Sequence, residues 1–406
     1  MRLLLIHQNF PGQFRQLAPR WIERGHEVMA LGRSSRGLIA EGITLGMYAI
    51  EDTDPQFNGS DPHLELALRR GRKVREACQQ LRRQGWIADC VLFHSSWGEG
   101  LYLRDLFPQQ RLVAYPELYG TAYAMGYGFD HSLGPPTDAL MLSMRHLNLM
   151  AEAAIADSDA LICPTWHQRN SFPPHLRQRI QVIHEGVDLA KVFPNPKRWV
   201  VLGPDLAFRH GDPVVTFCSR HLEPLRGLPT FLRGLALLQR RHPSVRALVV
   251  GENGKGYGPA SDHAGGHLGM LLEELQGQLD LDRVHFLGRV SYEELLGIFQ
   301  VSAAHVYLTY PYVLSWSVLE AMACGAPLIG SAAPPVNEVI RHGENGLLVN
   351  FNSPEQLCAA MLQLLENPPL RAELGAAGRR CIERDYDLER CVEAYEAVLQ
   401  GGFTGY

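Results

Sequence analysis

The chain has 406 residues, of which 46% are hydrophobic and 20% are charged, a composition typical of a globular protein in water. Because this length exceeds what one hydrophobic core usually supports, we expect two domains. The formal net charge of -5 argues against a general nucleic-acid-binding protein, which would carry a surplus of basic residues.

Short apolar runs alternate with amphipathic segments in the first half of the chain, which predicts βαβ units and a parallel sheet. The predicted strands are, in chain order, RLLLIH, EVMAL, DCVLFH, RLVAY, ALICP and IQVIHEG. Helical patterns such as GQFRQLAPRWIERG lie between them. The first apolar run is too short for a signal peptide and is interpreted as a strand. We therefore predict a Rossmann-like N-terminal domain over residues 1–195.

Residues 196–212 have no clean period and are predicted to be a linker. A second series of strands follows, consisting of PVVTFCS, VRALVVG, RVHFLG, AAHVYLT and APLIG, and predicts a second Rossmann-like domain over residues 213–384. Residues 385–406 contain a helix with apolar residues at helical spacing, namely Leu388, Val392, Tyr395 and Val398. The predicted fold class is α/β, with two doubly wound domains and ligands outside the carboxyl ends of their strands.

Two N-terminal loops carry candidate ligand-binding residues. Gly12 lies between the first strand and the first helix, where it either lets the backbone approach a ligand or forms a tight turn. His94 closes the strand DCVLFH and could donate to a sugar hydroxyl or exchange a proton, or could be a structural histidine. Glu117 follows the next strand and is the candidate acceptor-binding residue.

Two C-terminal loops carry the remaining candidates. Arg220 follows the first strand of the second domain, and Arg226 comes six residues later, before a helix. This arrangement suits a diphosphate, although Glu223 could pair with either arginine at the surface. Ser317 and Glu320 have the spacing of a capping box, so Glu320 is either a helix cap or a ligand-binding carboxylate.

Several stretches of the chain together resemble the retaining family-4 glycosyltransferases of the GT-B fold, in family order. They are GQFRQLAPRWIERGHEV, VIHEGVDLAKVF, SRHLEPLRG, VHFLGRVSYEEL, SVLEAMACGAPLIG and NEVIRHGENGLLV. HSSWGEGLYLRDLFP resembles a bacterial subgroup of that family. The resemblance runs along nearly the whole chain. It implies two Rossmann-like domains facing across a cleft, with the C-terminal helix packing back on the N-terminal domain.

The resemblance implies transfer of a hexose-type sugar, with retention, from a nucleoside-diphosphate sugar to a glycan, lipid-linked or small-molecule acceptor. No cofactor and no metal are implied. Arg220 and Arg226 would act in catalysis by holding the diphosphate, and His94 would touch the donor sugar and the acceptor. The other residues implied to bind the donor are Gly12, Val290, Tyr312, Ser315, Trp316, Ser317 and Glu320.

Two positions depart from the family pattern. Tyr312 lies eight residues before Glu320, where the family has a glutamate that contacts the donor sugar, and Arg226 replaces the usual lysine. A catalytically silent sugar-nucleotide-binding protein and a nucleotide-sugar epimerase of the same fold therefore remain alternatives. A glycan phosphorylase would need a pyridoxal lysine in the second domain, where only Lys255 is available.

Two DxD triplets occur, at Asp52 to Asp54 and at Asp157 to Asp159. In the other glycosyltransferase fold such a triplet binds a divalent metal. Neither lies where that fold places its motif, so we expect no protein-bound metal.

Residues 65–83 form a basic amphipathic segment that predicts either contact with an anionic membrane or a solvated helix. The eight scattered cysteines include no CxxC pair, which favours a reduced, cytoplasmic protein. We expect a cytoplasmic location, with the inner face of the membrane as the alternative.

Overall fold

A computed structural model describes residues 1–35, 39–50, 62–204, 206–254, 256–258 and 261–402. The chain forms two compact units. Unit 1 comprises Met1–Ala122, Pro136–Gly186 and Leu388–Tyr406, and unit 2 comprises Tyr123–Pro135 and Val187–Asp387. The chain therefore passes from one unit to the other four times.

The main sheet of unit 1 is parallel and has seven strands. They are β1 (Arg2–Ile6), β3 (Glu27–Gly32), β5 (Thr44–Met47), β6 (Cys90–His94), β7 (Arg111–Tyr115), β8 (Ala160–Cys163) and β9 (Ile180–Val182), while β2 (Asn9–Phe10) pairs with β4 (Ser34–Ser35). The spatial order is β5-β3-β1-β6-β7-β8-β9. The order of connection reverses between β1 and β6, which makes this pair the topological switch point of the sheet.

Both faces of this sheet are buried, as expected for parallel strands covered by helices. Leu3 and Leu5 belong to one apolar core, whereas Leu4 and Ile6 belong to another, because successive side chains of a strand point to opposite faces. The helices are α1 (Leu17–Glu23), α2 (Pro62–Arg83), α3 (Leu103–Leu106), α4 (Asp138–Ala156), α5 (Trp166–Ser171) and α6 (Pro174–Arg177).

Unit 2 contains a six-stranded parallel sheet and an antiparallel pair. The strands are β10 (Trp199–Gly203), β11 (Leu206–Arg209), β12 (Val214–His221), β13 (Arg246–Glu252), β14 (Val284–Gly288), β15 (Ala304–Tyr307), β16 (Leu328–Ser331) and β17 (Leu347–Val349). The helices are α7 (Leu228–Arg241), α8 (Gly266–Glu274), α9 (Tyr292–Val301), α10 (Trp316–Ala323), α11 (Pro334–Asn337), α12 (Pro354–Glu366) and α13 (Pro368–Asp385). The main sheet has the order β14-β13-β12-β15-β16-β17, so its switch point lies between β12 and β15.

The predicted linker over residues 196–212 is replaced by structure, because β10 and β11 form an antiparallel hairpin within it. The apolar side chains of the hairpin, including Val200, Leu202 and Phe208, pack with Val214 and Ile298. Burial of these side chains outweighs the irregular proline-rich pattern from which a linker was predicted.

The boundary between the units also differs from the predicted position at residue 195. Val187 already belongs to unit 2, where its N–H donates to the Tyr386 carbonyl at 2.8 Å. Val187 and Val192 are buried in an apolar core with Val318 and Met322. The shift follows from this packing, which the strand pattern does not encode.

The last helix of the described chain, α14 (Leu388–Leu399), belongs to unit 1. The four apolar residues predicted to share one face, namely Leu388, Val392, Tyr395 and Val398, are all buried in the core that contains Trp21. Arg24 of unit 1 donates to Glu389 and Glu396 of this helix, each at 2.9 Å. The predicted apolar face of the helix is thus confirmed.

The basic segment of residues 65–83 lies within α2, whose apolar side is part of a core of unit 1 through Val74 and Cys78. Glu65 pairs with Arg69, four residues later, and Glu76 pairs with Lys73, three residues earlier. Three-residue and four-residue spacings both bring side chains together on a helix. Throughout the described ranges, no helix combines the length and apolarity needed to cross a bilayer.

His305 of β15 is a fully buried histidine in unit 2. Its Nδ1 lies 2.8 Å from the Thr216 hydroxyl, which is also 2.8 Å from the Ser302 hydroxyl. Burial lowers the pKa of His305 to about 3, because the charged imidazolium would lose its hydration. In the unfolded chain the same group titrates near its ordinary pKa of about 6.5.

We expect H305N to be less stable than the wild type at pH 7 and to approach it as the pH falls. Below about pH 6.5 protons bind preferentially to the unfolded wild type, which lowers its free energy of unfolding. This loss ends when His305 of the folded protein also binds a proton, near pH 3. The difference in free energy of unfolding should therefore shrink by roughly 1.4 kcal/mol per pH unit between about pH 6 and pH 4. Urea titrations across this range measure it, with H210N at an exposed position as the control. A constant difference would contradict the prediction.

Candidate active site

Two histidines lie at the switch point of unit 1, directly at the carboxyl ends of β1 and β6. The rings of His7 and His94 have centroids 5.4 Å apart and are nearly perpendicular. The indole of Trp97 stacks on His94 with a centroid distance of 3.8 Å. Ligands of doubly wound sheets bind at this position, so this cluster is the candidate site of unit 1.

Backbone contacts fix which nitrogen of each imidazole holds the proton. The N–H of Asn9 donates to Nδ1 of His7 at 3.0 Å, and the N–H of Ser96 donates to Nδ1 of His94 at 3.2 Å. Since Nδ1 accepts in both rings, the neutral form of each histidine has its proton on Nε2. Both Nε2–H groups are therefore donors.

Both donors lie near one carboxylate, that of Glu117, His94 directly and His7 through Gln13. Nε2 of His94 lies 3.5 Å from Oε2 of Glu117. Nε2 of His7 lies 2.6 Å from the Gln13 amide oxygen, and the Gln13 amide nitrogen donates to Oε1 of Glu117 at 2.7 Å. His7, Gln13 and Glu117 form a hydrogen-bonded series, and His94 lies beside the same carboxylate. We call these four side chains the Glu117 network.

The electrostatics of the Glu117 network favour an ionised Glu117 and a neutral His7. Burial, followed by the neighbouring His94, lowers the pKa of His7 to about 3. Burial opposes ionisation of Glu117, but the neighbouring His94, His7 and Gln13 side chains lower its pKa overall. Glu117 is thus a carboxylate that can accept a hydrogen bond from a ligand hydroxyl.

The side chains of His94 and Glu117 differ in exposure. The sequence predicts that His94 points toward a ligand, but its side chain has 0% exposure, whereas that of Glu117 has 23%. Both ring nitrogens of His94 face protein groups: Nδ1 faces the Ser96 N–H, and Nε2 faces Glu117. Of the two, Glu117 is the more exposed side chain, and a direct contact of His94 with the donor sugar stays a prediction.

Gly12 lies in a 3-10 turn over Gly12–Phe14, immediately before α1. Its φ is +49°, and a Cβ at this position would lie 2.3 Å from Cε1 of His7. The packing of the His7 ring therefore requires a glycine here, in addition to any approach of the backbone to a ligand.

In unit 2, the side chain of Arg226 is fixed beside the N-terminus of α10. Its Nη1 donates to the Thr309 hydroxyl at 2.8 Å, the Tyr307 hydroxyl at 3.2 Å and the Val313 carbonyl at 3.3 Å. The Tyr307 hydroxyl also accepts from the N–H of Ser315 at 2.8 Å. One hydroxyl thus joins a guanidinium to the positive end of a helix, where an anion is favoured.

A series of contacts connects Arg226 with Arg220 at the end of β12. Arg220 donates to the Tyr257 hydroxyl at 3.0 Å. The ring of Tyr257 lies 5.7 Å from that of Tyr312, and the Tyr312 ring lies 6.0 Å from Cζ of Arg226. The loop after β12 and the loop after β15 thus bring the two predicted arginines to the switch point of this sheet. Tyr312 replaces the expected acid and contributes its ring face to this arrangement.

The predicted capping box at Ser317 and Glu320 is wrong. Ser315 is the N-cap of α10, and its hydroxyl accepts from the N–H of Ser317 at 3.4 Å. The helix begins two residues earlier than the box requires, so Glu320 lies beyond the capping position. Its buried carboxylate instead accepts from the Tyr292 hydroxyl of α9 at 2.8 Å. A capping box is present at the start of α9, formed by Ser291 and Glu294.

The remaining predicted donor residues lie in the same part of unit 2. The N–H groups of Ser315 and Ser317 donate to the hydroxyls of Tyr307 and Ser315, and their role in donor binding stays a prediction. Val290 follows β14 and packs partly buried against the core that contains Val214. Glu223, expected to pair with an arginine, accepts from the N–H of Gly258 at 2.9 Å.

The acidic triplets and the phosphorylase lysine can be placed only in part. Asp52, Asp54 and Lys255 lie outside the described residues. Asp157 is the C-cap of α4, and Oδ2 of Asp159 accepts from Arg104 at 2.8 Å and from the N–H of Leu112 at 2.7 Å. Asp159 therefore connects the start of β8 to β7.

Sequence reasoning missed His7, Gln13, Trp97, Tyr307 and Thr309 as members of these sites. A repeated sequence pattern could have identified His7, because three apolar runs of the first half end in histidine, at His7, His94 and His184. In each, Nδ1 accepts from the N–H two residues later. The roles of Gln13 and Thr309 depend on contacts that have no sequence signature.

We expect G12A to lower the free energy of unfolding by roughly 2–5 kcal/mol, the sum of left-handed backbone strain and a clash with the His7 ring. G25A is the matched control, since Gly25 has φ +84° and a Cβ added there would meet no atom within 4 Å. It should cost roughly 1–2 kcal/mol. Urea unfolding measures both. Equal losses in the two variants would show that the His7 ring does not constrain position 12.

Two sequence-family models match the chain. One, described as "Glycosyl transferase family 4 group", matches residues 24–192. The other, described as "Glycosyl transferases group 1", matches residues 204–381. The matches follow one another along the chain and together extend over most of both units.

A curated relative from Rhodococcus jostii, named D-inositol 3-phosphate glycosyltransferase, is 28% identical over 253 residues. That match covers 60% of this chain and 54% of the relative, so the chain spans about half the length of the curated relatives it matches.

Two solved structures are similar over almost the whole chain. A sucrose-phosphate synthase from Thermosynechococcus elongatus has a TM-score of 0.72 at 18% identity, with 98% of each chain covered. HepE of Anabaena, in complex with UDP and glucose, has a TM-score of 0.68 at 15% identity, with 98% of this chain and 99% of that chain covered. At these identities the similarity concerns the fold, which is that of two Rossmann-like domains of the GT-B type. The two family matches, over residues 24–192 and 204–381, place this chain among the family-4, group 1 glycosyltransferases.

Proposed function

We propose that this glycosyltransferase moves a hexose-type sugar, with retention, from a nucleoside-diphosphate sugar to a hydroxyl of a glycan, lipid-linked or small-molecule acceptor. The observation that carries the proposal is the fixed guanidinium of Arg226 beside the N-terminus of α10. A preorganised cation next to a helix N-terminus suits the diphosphate of such a donor.

Arg226 and Arg220 stabilise the negative charge that develops on the diphosphate as the bond from the sugar to phosphate breaks. Because Arg226 is already held by Thr309 and Tyr307, little reorganisation is needed when that charge appears. The two cations supply this stabilisation without a protein-bound metal. In the same proposal Glu320 accepts hydrogen bonds from the ribose hydroxyls, Trp316 contributes its backbone N–H, and main-chain atoms near Val290 contact the base.

On unit 1, Glu117 binds a sugar hydroxyl through the carboxylate that the Glu117 network keeps ionised. His94 and Gln13 hold this carboxylate in place. In the transfer step, the acceptor hydroxyl oxygen forms the new bond to the sugar carbon, the bond to the diphosphate breaks, and the hydroxyl proton leaves with the diphosphate. Retention requires that the new bond form on the face from which the diphosphate departs.

The names of similar proteins support a nucleotide-sugar donor. The HepE structure contains UDP and glucose, and the Rhodococcus relative is named as a glycosyltransferase acting on D-inositol 3-phosphate. These names favour UDP as the first nucleotide to test, and an acceptor that offers a hydroxyl group.

Tyr312 favours a second candidate, a sugar-nucleotide-binding protein that transfers no sugar. The tyrosine lies where the family has a glutamate that contacts the donor sugar, and its ring lies 6.0 Å from Cζ of Arg226. Measured hydrolysis or transfer of a bound donor excludes this candidate. Recovery of an epimerised nucleotide sugar identifies the epimerase alternative, and the anomeric configuration of a transfer product, read by NMR, tests retention.

We expect one of UDP, GDP, ADP and CDP to stabilise the wild type by about 2.7 kcal/mol when present at a hundredfold excess over its Kd. R226A should lower the affinity for that nucleotide roughly tenfold to a hundredfold, because a charge-assisted contact to the diphosphate is lost. R226K should recover part of the affinity. Thermal shift and titration calorimetry measure both effects. The control is R240A, because Arg240 of α7 makes an exposed contact with Gln278. Binding of none of the four nucleotides would contradict the proposed function.

Membrane contact through residues 65–83 stays a prediction, and the structure limits its form. The apolar side of α2 is buried in unit 1, so contact would rely on exposed basic residues such as Arg72, Lys73 and Arg83. Such contact would place the enzyme at the inner face of the membrane, near a lipid-linked acceptor. We expect the protein to pellet with vesicles containing anionic lipid at low salt and to be released at high salt. Equal recovery with neutral vesicles, or no pelleting, would refute the contact.

A further inference from the structure

The segment Tyr123–Pro135 interrupts unit 1 in sequence but belongs to unit 2, and we call it the strap. Phe129 of the strap packs against Tyr310 and Phe351, with ring centroids 6.3 Å and 5.3 Å away. The Asn352 side chain donates to the Phe129 carbonyl at 2.8 Å and accepts from the His131 N–H at 3.1 Å. Apolar packing and a two-way amide contact thus fix the strap on unit 2.

The strap places a buried carboxylate on Tyr310. Asp130 retains 8% exposure and Tyr310 only 2%, and the Tyr310 hydroxyl donates to Oδ2 of Asp130 at 2.5 Å. Oδ1 of Asp130 accepts from the N–H and the hydroxyl of Ser132, at 2.8 and 2.6 Å. Because a buried carboxylate is costly unless it is hydrogen-bonded, the loss of this tyrosine contact affects both partners.

A second feature of the strap is also matched to Tyr310. Gly126 has φ +96°, and a Cβ at this position would lie 2.3 Å from the Tyr310 ring. The strap therefore contacts the hydroxyl of Tyr310 through Asp130 and approaches its ring closely through Gly126. Both features hold the Tyr310 side chain in one position.

Tyr310 in turn connects the two loops that hold Arg226. It directly follows Thr309, whose hydroxyl accepts from Arg226 at 2.8 Å. The Tyr310 N–H donates at 3.0 Å to the carbonyl of Leu225, the residue before Arg226. A displacement of Tyr310 would thus alter both the backbone beside Arg226 and one of the groups that orient its guanidinium.

We propose that Asp130 is a positioning residue for the donor site, which acts through Tyr310 to hold Arg226 in the orientation that binds a diphosphate. The inference rests on the proposed function and goes beyond it in one respect. It assigns a part in donor binding on unit 2 to the strap, although the chain on either side of the strap belongs to unit 1.

The experiment measures nucleotide affinity by titration calorimetry, with the nucleoside diphosphate that stabilises the wild type most. The variants are D130A, Y310F, R226A and the double variant D130A/R226A. Y310F removes only the hydroxyl and keeps the ring, so it tests the contact should D130A fold poorly. N367A is the control for general destabilisation, because Asn367 caps α13 through the N–H of Leu370. It should lower Tm by roughly 2–4 °C without changing affinity.

We expect D130A and Y310F each to lower the affinity for the nucleotide about tenfold. D130A/R226A should bind the nucleotide no more weakly than R226A alone. This non-additivity is the result that a merely structural role would not produce. Unchanged affinity in D130A and Y310F, or additive losses in the double variant, would overturn the inference while leaving the proposed function intact. Absence of nucleotide binding by the wild type would overturn both.

Discussion

The carboxyl ends of the parallel strands impose the constraint on which both candidate sites depend. These strands are packed on both faces of each sheet, so polar side chains at their carboxyl ends must find partners within the protein. In unit 1 the solution is the Glu117 network, in which His7 bonds to Gln13, Gln13 donates to Glu117, and His94 lies 3.5 Å from the same carboxylate. In unit 2 it is the set of hydroxyl and carbonyl groups that surrounds Arg226. Each arrangement leaves one charged group poised for a ligand.

The two sites are complementary in charge, and the difference follows from their partners. His94 and Gln13 favour the ionised form of Glu117 in spite of burial, so unit 1 offers an acceptor of hydrogen bonds. The partners of Arg226 are oxygen atoms and the adjacent N-terminus of α10, so unit 2 offers a site for an anion. The proposed function assigns a sugar hydroxyl to the first environment and a diphosphate to the second. This pairing of environments agrees with membership in the family-4, group 1 glycosyltransferases.

Residues that depart from simple patterns acquire a physical explanation from their contacts. Glu320 has the spacing of a capping residue but accepts from Tyr292, because α10 begins at Trp316 with Ser315 as its cap. His94 has the position of a ligand-binding residue, but the stacked Trp97 and the ionised Glu117 enclose it. The proline-rich stretch before β12 forms a hairpin, because its apolar side chains cover one edge of the unit 2 core. In each case a tertiary contact decides between interpretations that the sequence leaves open.

The sequence by itself determined the α/β class, the order of most strands and helices, the apolar face of α14 and the loops that carry Arg220, Arg226, Glu117 and Gly12. These features depend on periodicity and on residues near in sequence, which a linear pattern records. Only the tertiary structure decided that the strap joins unit 2, that Gln13 connects His7 to Glu117, and that Tyr307 connects Arg226 to Ser315. Asp130 and Tyr310 are separated by 180 residues, and no local periodicity relates them. Such contacts arise when distant loops meet at the end of a sheet, so their partners are fixed by packing rather than by spacing.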